Sequence, residues 1–90
     1  MNWYLITYDL RKKRDYKSLY EALARFKAVP LLESVWLAEL RGPAATVRDL
    51  LKAEMDGDDG VAVIQLLPGF DWATFKANPA GAAWLKRVSP

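Results

Sequence analysis

Asp9 closes an apolar run, Trp3–Leu10, whose other residues are all apolar, aromatic or β-branched. A carboxylate is uncommon there, because burying one without a partner is costly. Arg11, Lys12, Lys13 and Arg14 follow at once. An oxygen ligand suits a hard cation such as Mg²⁺, which keeps several waters and needs only one or two carboxylates. Such a cation polarises a phosphoryl oxygen and activates water without an imidazole. The neighbouring cations, Arg11 and Arg14 foremost, can contact phosphates and release counterions, which makes binding salt-dependent. A plainer reading competes with this one. In it Asp9 caps the strand exit or pairs with the adjacent arginines, and the basic run is a solvated turn.

The residues that are missing narrow the chemistry. The chain of 90 residues has no histidine and no cysteine. That excludes Ser-His and Cys-His nucleophiles and imidazole or thiolate zinc sites, and it excludes a disulfide framework. Hydrolysis here has to rely on carboxylates, an oxygen-bound metal, or Lys, Tyr and Ser. The net charge of +2 is mild but uneven, with Lys17 adding to the basic segment and Asp56, Asp58 and Asp59 crowding another. Asp56–Gly60 lacks the alternating ligands and terminal glutamate of a calcium-binding loop, so it reads as a turn.

With 52% apolar and 27% charged residues the chain is too hydrophobic for disorder. It makes one small domain, which buries only about 60% of its unfolded surface, so an apolar dimer interface would add stability. No apolar run approaches the roughly 18 residues that span a bilayer, and no signal-peptide pattern opens the chain. A cytoplasmic location and no membrane partner are expected.

The elements follow from periodicity. Trp3–Leu10 reads as a central strand buried on both faces. Asp15 is placed to cap a helix running to about Lys27, with Tyr16, Leu19, Tyr20, Leu23 and Phe26 on its apolar face. Pro30 disfavours helix at Val29 and is expected to end it. Val29–Leu40 reads as two strands broken near Glu33-Ser34. Pro43 is expected at the first position of a second helix, with Val47, Leu50, Leu51 and Met55 inward. Val61–Leu67 is another apolar strand, paired with the first. Asn78-Pro79 starts a short helix through Lys86. The order predicts an α+β, ferredoxin-like βαββαβ core over 1–67: a four-stranded antiparallel sheet with two helices on one face. Residues 68–90 form an aromatic C-terminal extension, expected to pack on the core or on a partner subunit.

Tyr4-Leu5-Ile6-Thr7-Tyr8-Asp9-Leu10, Leu32-Glu33-Ser34-Val35-Trp36-Leu37, the strand Val61–Leu67 after an acidic turn, and Trp84-Leu85-Lys86 together carry a resemblance. The chain resembles the CRISPR-associated endoribonuclease family known as Cas-two, and within it looks most like the SinR-like branch. VapD-type toxin ribonucleases are more distant relatives. The resemblance implies a cytoplasmic homodimer of ferredoxin-like domains in which two strand-end aspartates face each other. It implies that they hold Mg²⁺ between the subunits for endonuclease cleavage of RNA or DNA. Asp9 matches that catalytic and metal-ligating aspartate, and Ser34 matches the family serine of the second hairpin strand. The arginine-and-glutamine stretch that precedes the serine in the family is replaced here by Val29-Pro30-Leu31-Leu32-Glu33. Some relatives are non-catalytic dimeric scaffolds, and in CRISPR adaptation the dimer bridges integrase subunits.

Other candidates have plain alternatives. Ser34 can orient a phosphate or satisfy local backbone. Trp3 and Trp36 can stack on bases or pack in the core. Tyr8 adjoins Asp9, but strand alternation points it the other way.

Overall fold

The computed structural model describes residues 1–11 and 16–89. In chain order the elements are β1 (Asn2–Asp9), α1 (Lys17–Arg25), β2 (Val29–Leu32), β3 (Val35–Leu40), α2 (Ala44–Lys52), β4 (Gly60–Leu66) and α3 (Pro79–Val88). The strands form one four-stranded antiparallel sheet in the order β2-β3-β1-β4. This is the ferredoxin-like α+β arrangement, followed by a C-terminal helix.

β1 sits inside the sheet, paired with β3 on one side and β4 on the other. Its side chains alternate between faces. Tyr4, Ile6 and Tyr8 enter a core with Leu19, Ala22 and Leu23 of α1 and Val47 and Leu51 of α2. Trp3 and Leu5 take the opposite face and pack with Leu31, Leu37, Trp84 and Leu85. Each fully buried aliphatic side chain contributes roughly 1.5–3 kcal/mol. A strand apolar on both faces is therefore what a sheet covered on both sides requires.

Helix boundaries differ from the sequence expectation in ways that have local causes. Tyr16 occupies the N-cap of α1, while Asp15, expected there, lies outside the described residues. Leu19, Ala22 and Leu23 form the buried seam of α1. Tyr20, expected inward, is 47% exposed because it falls on the rim of that seam. Pro30 does not end the helix. Lys27 does, at φ 56°, with its N–H on Ala24 O at 2.9 Å and the Ala28 N–H on Leu23 O at 3.0 Å. Those two bonds make a Schellman cap, with Lys27 in the left-handed position that glycine usually takes. Pro30 lies within β2, an edge strand, where a missing N–H is tolerated.

Pro43 is the N-cap of α2, one position earlier than expected. Gly42 before it has φ 88°, a conformation a side chain would resist. The Gly42 carbonyl accepts the Tyr4 hydroxyl and the Asn2 Nδ2–H. Val47 and Leu51 are the buried face of α2, and Leu50, expected inward, is exposed at its rim.

The extension packs on the second sheet face of its own chain. Asn78 caps α3 by accepting the Ala80 N–H at 2.9 Å, and its own N–H donates to Leu31 O of β2 at 2.9 Å. Gly81 presses directly on β2. A Cβ there would lie 2.6 Å from Pro30 O and 2.7 Å from Leu31 Cα. Phe70 meets Trp3 edge-on at 6.1 Å between ring centroids. The Trp72 indole N–H donates to Ser89 O at 2.7 Å, and the Ser89 hydroxyl donates to Phe70 O at 2.9 Å. Among the described residues no helix is long and apolar enough to cross a membrane.

Candidate functional site

Asp9 is the last residue of β1 and pairs with Gly60, the first of β4. Alternation from Trp3, Leu5 and Thr7 puts its carboxylate on the second sheet face, the one α3 shares. α3 packs on β2 and β3, whereas Ala62 and Ile64 of β4 stay exposed, Ile64 at 54%. The result is a half-open face with Asp9 at its end. A shallow depression of about 330 Å³ lies there, lined in part by Thr7, Asp9, Arg11, Gly60 and Ala62.

Among the described residues, Arg11 is the cation that reaches the carboxylate. Its Nε donates to Asp9 Oδ2 at 3.2 Å. Its backbone N–H donates to Asp59 Oδ1 at 2.9 Å, and Nη1 donates to the Asp58 carbonyl at 3.2 Å. The Asp56–Gly60 turn is thus the socket that seats Arg11. The turn in turn holds itself: Asp59 Oδ2 accepts the Asp56 N–H at 3.1 Å, and Asp56 Oδ1 accepts the Asp58 N–H at 3.1 Å. Gly60 leaves the guanidinium room, since a Cβ there would lie 3.0 Å from Arg11 Nη2. The Asp9 and Arg11 side chains are 71% and 59% exposed, so their ion pair is worth at most about 1 kcal/mol.

The pairing of Asp9 with a neighbouring arginine, weighed as the plainer reading, is therefore present in the fold. Arg14, Lys12 and Lys13 lie outside the described residues. Ser34 is in the β2–β3 turn at the same end of the sheet, where its carbonyl accepts the Tyr8 N–H at 3.3 Å. It does not line the depression beside Asp9. Trp36 and Trp3 both pack against cores. The Trp36 indole N–H donates to the Tyr8 hydroxyl at 3.1 Å, and that hydroxyl donates to Glu33 O at 3.5 Å. Burial pushes the Tyr8 phenol above its ordinary pKa, with proximity to Tyr20 and Glu33 adding to the rise and the Trp36 donor opposing it.

No protein-family model matches the chain, and no curated protein matches it.

Sequence reasoning missed the part played by Asp58, Asp59 and Gly60. The signal was available in the expected pairing of the two apolar strands. That pairing carries the turn before β4 to the exit of β1. As a metal ligand, Asp9 is an exposed carboxylate of the correct donor class. Among the described residues no group of three or more acidic side chains stands close enough to hold a metal ion.

Proposed function

We propose that this chain is a Cas-two/SinR-like protein, cytoplasmic and homodimeric, that binds RNA or DNA and cleaves phosphodiesters weakly with Mg²⁺. The observation that carries this reading is the exposed Asp9 carboxylate at the end of the central strand of a ferredoxin-like sheet, on a face left half open beside β4. A second copy seated on that open half-face would bury Ile64 and bring the partner's strand end toward Asp9. Asp9 of each copy would hold the cation, which when bound supplies Lewis-acid stabilisation of the phosphoryl oxygen. Arg11 would hold the phosphate in line with it, as a fixed planar donor.

Purified protein with Mg²⁺ is expected to cut RNA or DNA, and Asp9→Asn is expected to abolish the cutting. Cleavage that survives the substitution would assign the activity to another site or to a contaminant. In the dimer the two Asp9 carboxylates should approach within about 4–7 Å, since metal–oxygen distances are near 2.1 Å.

A second reading is a non-catalytic dimeric scaffold. It is supported by the Arg11 guanidinium, which already neutralises Asp9 at 3.2 Å. Under this reading the protein forms a stable dimer yet neither cuts nor binds nucleic acid at low salt.

A further inference from the structure

Arg11 is anchored through its backbone and exchangeable through its side chain. Its backbone N–H is fixed to Asp59 and its Nη1 to the Asp58 carbonyl. The remaining contact, Nε to Asp9 Oδ2 at 3.2 Å, is exposed on both sides. An exposed ion pair is weak enough to be displaced by another anion. A phosphate diester competes well for a guanidinium, because it offers two acceptor oxygens to a planar fork. The exchange needs little movement of the chain. Gly60 has no Cβ to crowd the guanidinium, and the Asp59 carboxylate keeps the Arg11 backbone in place while the side chain turns, giving up its Nη1 bond to the Asp58 carbonyl together with Asp9.

We propose that Arg11 is a shared counter-ion, which neutralises Asp9 in the ligand-free protein and passes to a phosphodiester when one binds. Phosphate binding then uncovers the carboxylate at the moment a cation is wanted beside it. Linkage makes the effect reciprocal: whatever withdraws Asp9 from Arg11, a cation included, strengthens phosphate binding. The inference rests on the reading that this strand end binds nucleic acid, and it adds how that binding is coupled to the state of Asp9.

The test is a double-substitution cycle in EDTA, so that no metal is involved. The probe is fluorescein-labelled single-stranded octathymidylate at low salt, followed by anisotropy with wild type, Asp9→Asn, Arg11→Gln and the double variant. Asp9→Asn is expected to tighten binding about two- to fivefold, the range open to an exposed pair. In the Arg11→Gln background the same change is expected to shift affinity by less than about 1.5-fold, because its partner is gone. Equal tightening in both backgrounds would mean only relief of general repulsion between Asp9 and the probe, and would overturn the shared counter-ion. So would no effect in either. If wild type itself fails to bind the probe, the nucleic-acid reading falls and the proposal falls with it. Binding without coupling removes the proposal alone.

Discussion

At the residue scale, the chemistry at the end of β1 is a matter of which neighbour each polar group finds. Asp9 finds Arg11, and Arg11 finds the acidic turn. Tyr8, one residue earlier, points to the opposite face and buries its hydroxyl between Trp36 and Glu33. That burial raises its pKa above the ordinary 10.0. The consequence has a definite sign. The folded state keeps the Tyr8 proton at a pH where the unfolded chain has lost it, so the contribution to stability is complete below about pH 10. It is lost as pH rises through the folded value. The urea midpoint is therefore expected to fall as pH rises above about 10, and Tyr8→Phe is expected to flatten that fall. An identical alkaline slope in the variant would assign the loss to other groups.

At the scale of elements, α3 and β2 meet through a close backbone approach as well as through the packing of Leu31 with Trp84 and Leu85. Gly81 allows it, with a Cβ position 2.6 Å from Pro30 O. Alanine is the better helix former by about 1 kcal/mol. In α3 the Gly81→Ala change is nonetheless expected to destabilise the protein, by about 1–3 kcal/mol, because the helix must lift off β2. The thermal midpoint checks this, and a rise in Tm would show that the helix accommodates the methyl group. The sheet edges also differ. β2 carries Pro30, a register irregularity and the Asn78 hydrogen bond, whereas β4 runs in unbroken register with β1 and has no charged residue. With Ile64 exposed, β4 is the edge on which the proposed second copy would sit.

At the scale of the molecule, the chain stabilises a small ferredoxin-like sheet by covering both faces. α1 and α2 cover one, and the extension covers part of the other. Removing residues 68–90 would uncover Leu31 and Leu37 and strip Trp3 of Phe70. Each newly exposed aliphatic side chain costs roughly 1.5–3 kcal/mol, against a total stability of about 5–10 kcal/mol for a domain of this size. The truncated chain is therefore expected to lose its cooperative unfolding transition, as followed by circular dichroism. A retained sharp transition would show that the core over 1–67 stands alone.

Most of the fold was legible in the sequence because it is encoded by local patterns of residue type. The continuous apolar run of Trp3–Leu10, the helical seams through Leu19–Leu23 and Val47–Leu51, and the Asn78-Pro79 start of α3 are local patterns, readable without knowing what packs on them. Departures occur where a position lies on the rim of a seam, as with Tyr20 and Leu50. They also occur where the backbone adopts an uncommon conformation, as Lys27 does at φ 56°. The strand-end carboxylate and its basic neighbours were equally legible, since they adjoin in the chain. What only the tertiary structure decided is the company Asp9 keeps. Pairing of β1 with β4 brings Asp58 and Asp59 across some fifty residues of chain to seat Arg11 against Asp9. It is that long-range register, and the placing of α3 mainly over β2 and β3, that leaves the carboxylate exposed but already neutralised. Such contacts depend on which backbones meet in space, and no local pattern of residue types records that.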